Sequence, residues 1–113
     1  MTTIETAQNR IEMETRKSYE ALSIAGELPD LAVTVPLMTS GDYKERMLAE
    51  YWQLKIRYEK LKKFNNQIEA AQIMGQEGPK HTCPAYMLKE QQSIMKDYLH
   101  VLEVRAVMEG ITL

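Results

Sequence analysis

Between residues 41 and 74 the apolar side chains keep a strict rhythm. Met47, Tyr51, Leu54, Tyr58, Leu61, Asn65 and Ile68 are separated by four, three, four, three, four and three positions. A helix turns once in about 3.6 residues, so these positions fall on one side and form the seam of a helix packed lengthwise on another. Only Asn65 interrupts it. Leu88, Gln92, Met95, Leu99, Leu102 and Ala106 repeat the rhythm between 85 and 109. Two matched stripes joined by GQEGPKHTCP, residues 75 to 84, predict an antiparallel hairpin of two amphipathic helices. Thr39 is the expected cap of the long helix, with Asp42 as its acidic partner and Ser40 as the competing cap. Thr82 or Cys83 is expected to cap the return helix, with Pro84 in its first turn. Gly110 then ends it, and Ile111 is placed to fold back on the last turn.

Leu48, Trp52 and Ile56 form a second apolar stripe beside the first, which is more than one partner helix covers. The long helix would run roughly 50 Å, beyond the reach of its shorter partner. A hairpin of this size has too little interior to bury every apolar side chain, so a closed homo-oligomer is predicted. Ahead of the hairpin, Pro29 and Pro36 bracket Leu31, Val33 and Val35, an alternating pattern that predicts an extended arm or short edge strand packed over the helices. Residues 1–26 allow two readings. Thr2 with Glu5 makes a capping box, and Ile4, Ala7, Ile11, Ser18, Leu22 and Ala25 fall at helical spacing. Ile11, Met13 and Thr15 also alternate with charged residues, as one side of a strand would. The chain therefore divides into an N-terminal helix or extended arm, 1–37, and a helical-hairpin domain, 38–113, mainly α in class.

The formal net charge is -2, from 14 basic and 16 acidic residues, which gives no overall field to collect polymeric nucleic acid or an anionic membrane. The distribution is uneven. Residues 38–63 carry seven basic and four acidic side chains, whereas both flanking segments are net acidic. Lys55, Arg57, Lys60, Lys62 and Lys63 face only Glu59, a stripe that can meet anions when copies come together and is otherwise a solvated helix face. The single cysteine, Cys83, rules out an internal disulfide framework and suits a reducing compartment. No basic start followed by an apolar run opens the chain, and no run of about 18 apolar residues occurs, so a cytoplasmic protein is expected.

No catalytic constellation is present in the sequence. His81 and His100 lie apart, without HExxH, paired-cysteine or histidine-triad spacing, so neither a metal nor a cofactor is expected. Glu50, Glu59, Glu69, Glu90, Asp97, Glu103 and Glu109 read as solubility and pairing groups on helices. A binding protein is the better expectation. Tyr43, Lys44 and Arg46 occupy the first turns of the long helix, Arg57 follows on a neighbouring face, and Arg105 lies near the end of the return helix. An antiparallel hairpin brings Tyr43 and Arg105 towards one end, where a ring can cover a base and an Arg fork can hold phosphate oxygens. Against this, Tyr43 could be an ordinary interface residue, and Arg105 could pair with Glu109 at i,i+4.

The segments MTSGDYKERMLAEYWQLKIRYEKLKKF and CPAYMLKEQQSIMKDYLHVLEVRAVMEGI resemble a helical-hairpin family of bacteriophages and prophages. It includes anti-CBASS and anti-Thoeris proteins that sequester cyclic oligonucleotide or cyclic ADP-ribose signals and silence host antiviral immunity. The resemblance covers about residues 38–113. It implies a non-catalytic, hexameric sponge in the host bacterial cytoplasm, with ligands held between subunits. Ligand-facing roles carry over to Tyr43, Lys44 and Arg46 in DYKERM, Tyr51 in AEYW, Arg57 in KIRYEKL and Arg105 in LEVRAVMEG. Residues 1–37 match no block of the family, which leaves a cyclic dinucleotide, a cyclic trinucleotide and a cyclic ADP-ribose isomer as possible ligands. The alternative is a helical phage scaffold or regulatory protein making only protein contacts.

Overall fold

A computed structural model describes residues 30–113. The helix and strand readings of residues 1–26 lie outside the described residues. A 3-10 helix, Leu31–Thr34, leads into α1, Val35–Met38; α2 spans Tyr43–Met74 and α3 spans Ala85–Glu109. The two long helices pack together as expected, with Met47, Tyr51, Tyr58, Leu99, Leu102 and Ala106 buried between them. Leu54 and Met95 lean on that cluster from its edge. The four-three seams therefore meet each other, as their spacing requires.

The expected extended arm is replaced by helix over Leu31–Met38. Pro36 does not oppose this, because it stands in the first turn of α1, where its missing N–H would have had no helical partner. The buried side chains are Thr34 and Leu37, three residues apart, while Val35 of the alternating set is 46% exposed. Leu37 and Val33 settle on Leu48, Ala49 and Trp52 of α2. Gln53 Nε2 donates to Thr34 Oγ1 at 3.0 Å, tying the 3-10 helix to α2. Of the second apolar stripe of the long helix, expected to seek another subunit, Leu48 is covered by this segment, Ile56 is also buried, and Trp52 is partly buried. A different face stays open, on α3, where Met87, Ile94, Tyr98, Val101 and Met108 are all exposed.

Thr39 does not cap α2. Its hydroxyl is spent on the preceding helix, donating to Val35 O at 3.0 Å. Asp42 is the cap, its carboxylate accepting from the Lys44 N–H at 3.0 Å, and Ser40 Oγ accepts from the Asp42 N–H. Arg46 Nη1 donates to Ser40 O at 2.8 Å and holds the link between α1 and α2 against the first turn of α2. At the start of α3 neither Thr82 nor Cys83 is the cap; Pro84 takes that position without a side-chain bond. Asn65, the interruption in the seam, is only 4% exposed and donates to Leu88 O at 3.2 Å and Gln92 Oε1 at 2.8 Å. A polar residue at such a position fixes the register of the two helices.

Both long helices end in left-handed glycines, Gly75 at φ 65° and Gly110 at φ 69°. Past the first, the Gln76 N–H reaches Ala71 O; past the second, the Ile111 N–H reaches Ala106 O, each at 2.8 Å. A Cβ on Gly75 would meet nothing within 4 Å, so the cost of a side chain there is conformational alone. Gly75→Ala should destabilise the protein by about 1 kcal/mol. Gly41, equally open and without a positive φ, should accept alanine with no loss. Urea denaturation of the two variants side by side checks the contrast, and equal stabilities would contradict it.

Candidate functional site

The antiparallel packing brings the start of α2 back to the end of α3. Tyr43 is 49% exposed there. The Glu109 carboxylate, chiefly by hydrogen bonding, holds its phenol above the ordinary range, and the nearby Arg105 charge acts in the opposite sense. Arg105 is itself held by Glu109, through Nε at 3.2 Å and Nη2 at 3.1 Å to the same oxygen, Oε2. The i,i+4 alternative weighed from the sequence is therefore realised, yet Arg105 remains beside Tyr43 and about half exposed. Two turns further in, Tyr98 donates to Glu50 Oε2 at 2.7 Å, which raises the Tyr98 phenol.

The other anticipated residues have different situations. Lys44 is exposed in the first turn of α2. Arg46 is anchored by its bond to Ser40 O, which leaves part of its guanidinium for other acceptors. Arg57 is exposed but stands fourteen positions after Tyr43 on the same helix, about 21 Å along its axis. Within one protomer Arg57 and Tyr43 are therefore well separated along α2. Tyr51 is buried at 8% exposure, edge-on to Trp52, with its hydroxyl 3.4 Å from Glu103 Oε1. It is built into the interior of this end rather than offered at its surface.

Burial, and then the charge and hydrogen bond of Glu103, push the Tyr51 phenol up to about 12. Folding thus favours the neutral phenol over the ordinary value of 10.0. The corresponding stability is complete below pH 10 and is lost as pH rises through 12. Tyr51→Phe should remove this part of the alkaline decline. The difference in unfolding free energy between parent and variant should shift by on the order of 2–3 kcal/mol between neutral pH and the upper end of that window. Parallel stability curves across that window would contradict the assignment.

Sequence reasoning missed a second polar concavity, further along the hairpin. It lies between α2 and α3 and takes in Lys62, Asn65, Lys89, Gln92 and Lys96. The signal was present as Asn65 and Gln92 at facing seam positions, where apolar residues were expected. Among the described residues no group of three or more His, Cys, Asp or Glu side chains could hold a metal ion. His81 Nδ1 lies 2.6 Å from Cys83 O, and His100 is exposed. No helix among the described residues is long and apolar enough to cross a membrane.

No curated protein and no solved structure significantly matches the chain. A family model described as Sequestin matches residues 41–108, a span that takes in α2, the turn and nearly all of α3. The match spans the helical hairpin, Tyr43 and Arg105 included, and covers more than half of the chain, which therefore belongs to the Sequestin family.

Proposed function

We propose that the protein is a non-catalytic sink that binds a cyclic nucleotide or cyclic ADP-ribose-type signal intact and so blocks host antiviral immunity. The observation that carries this reading is the family match over 41–108, which contains both helix ends where Tyr43 and Arg105 meet. The exposed Tyr43 ring is the stacking surface for a base, and the Arg105 guanidinium is the phosphate fork, with Lys44 and Arg46 adding positive charge. Glu109 does not bar this role. An exposed i,i+4 ion pair contributes only about 0.3–0.5 kcal/mol, less than a charge-assisted contact between guanidinium and phosphate, so a phosphate can displace or share it.

Arg57 and Tyr51 take part through assembly in this reading: a second copy brings an Arg57 towards another protomer's open end, and Tyr51 supports the wall behind it. The open α3 face of Met87, Ile94, Tyr98, Val101 and Met108 is the surface for a closed homo-oligomer, a hexamer by family resemblance. The same face favours the second reading, a helical phage scaffold or regulatory protein with protein contacts only. Heat denaturation of protein purified from cells lacking these signals separates the two. One member of a panel of cyclic dinucleotides, cyclic trinucleotides and cyclic ADP-ribose isomers should raise the melting temperature in proportion to its binding. No response to any of them would put the scaffold ahead.

A further inference from the structure

The concavity between α2 and α3 has a volume of about 470 Å³ and is lined by more donors than acceptors. Lys62 comes from α2, and Lys89 and Lys96 from α3; none of the three is in an ion pair among the described residues. Glu69 is the single carboxylate on its wall. The amides are set by one buried contact. Asn65 Nδ2 donates to Gln92 Oε1 at 2.8 Å, so the Gln92 acceptor faces inward and its Nε2 donors are turned to the remaining side. Asn65 is 4% exposed, and its Oδ1 is a buried acceptor without a hydrogen-bond partner among the described residues. A register-fixing role explains the two Asn65 donor bonds. It does not explain three lysines, in no ion pair among the described residues, on the wall beside the Gln92 amide.

The geometry points to a second anion site in this groove, for the phosphate oxygens of a phosphorylated small molecule, with Lys62, Lys89 and Lys96 supplying charge and Gln92 Nε2 supplying a directed donor. It is separate from the Tyr43–Arg105 end: Asn65 stands 22 positions after Tyr43 on the same helix, about 33 Å along its axis. No single cyclic dinucleotide spans that distance. The groove therefore extends the binding capacity of the chain beyond the proposed signal site and stands on its own observations.

The test is a titration of the ¹⁵N-labelled full chain with inorganic pyrophosphate at constant ionic strength, followed by amide NMR. Saturable shifts are expected at Lys62, Gln92, Ser93 and Lys96, and they should persist in Arg105→Ala, which removes the fork at the other end. Gln92→Glu keeps an oxygen for Asn65 to bond but replaces the outward donors with negative charge, and should weaken pyrophosphate binding about tenfold or more. Lys89→Gln with Lys96→Gln changes only exposed side chains and should weaken it without altering the fold. Linear, unsaturated shifts in the parent, or saturable shifts unchanged in both sets of variants, would overturn the proposal. Loss of cyclic nucleotide binding in Arg105→Ala with the groove shifts intact bears on the open end alone, so the two sites succeed or fail independently.

Discussion

Leu37→Ala should lower the stability of the protein by about 2–5 kcal/mol, the range for emptying a buried leucine site. Leu37 has no exposed surface and rests on Leu48 and Ala49, with Val33 and Trp52 at the edge of the same cluster. Its neighbour in burial, Thr34, is bonded rather than packed: its hydroxyl donates to Leu31 O and accepts from Gln53. Leucine is thus the main apolar link between the short helices and α2. The chain has one tryptophan, so fluorescence of Trp52 reports this contact directly. In urea, the variant should expose Trp52 at lower denaturant than the parent, and circular dichroism should follow the loss of the long helices. A change below about 0.5 kcal/mol, the range of an inconsequential surface substitution, would show that Leu31–Met38 is not held on α2.

Arg105→Ala and Tyr43→Ala should each weaken binding of the cognate signal by about 5- to 150-fold, the range for one base–aromatic stack or one charged fork on phosphate. Both side chains sit outside the buried cluster of the hairpin, so melting temperature and assembly should not change. Glu109→Gln provides a contrasting variant. It removes the carboxylate that occupies Arg105 and should leave affinity equal or stronger. Calorimetric titration of the parent and the three variants checks all of this at once. Unaltered affinity in both alanine variants would reject the Tyr43–Arg105 site even if the protein binds a signal.

The hairpin was legible because its information is periodic. Met47, Tyr51 and Tyr58 on one helix and Leu99, Leu102 and Ala106 on the other keep a spacing that only a lengthwise helix pair satisfies, and Gly75 and Gly110 mark where the backbone must turn left-handed. The segment before it departs from its sequence pattern for a physical reason. Alternation in Leu31, Val33 and Val35 suggests a strand, but four-residue elements are decided by what they rest on, and Thr34 and Leu37 rest on α2. Propensity is too weak over such a length to compete with that burial. Caps were misplaced for a similar reason, since Thr39 had a nearer carbonyl in the helix behind it.

The open end was legible in outline. Antiparallel geometry alone brings Tyr43 to Arg105, and the i,i+4 spacing of Arg105 and Glu109 was visible as a competing pair. The cross-helix bonds were not visible. Tyr98 with Glu50 and Tyr51 with Glu103 are 48 and 52 residues apart, and many tyrosines and carboxylates on two helices offer such pairs. Asn65 was legible only as a flaw in a stripe; its bond to Gln92 lies on the wall of the groove that also takes in Lys62, Lys89 and Lys96.

Recovery of the ligand tests the claim of non-catalytic sequestration most directly. Protein is saturated with the signal that stabilises it, freed of unbound ligand, held for hours, and heat-denatured; the released material is then identified and counted by mass spectrometry. The account predicts that the cyclic signal is retained while the protein is folded and returns chemically intact in stoichiometric amount. Release of a linear or otherwise cleaved product, formed by the parent but not by protein denatured beforehand, would contradict it.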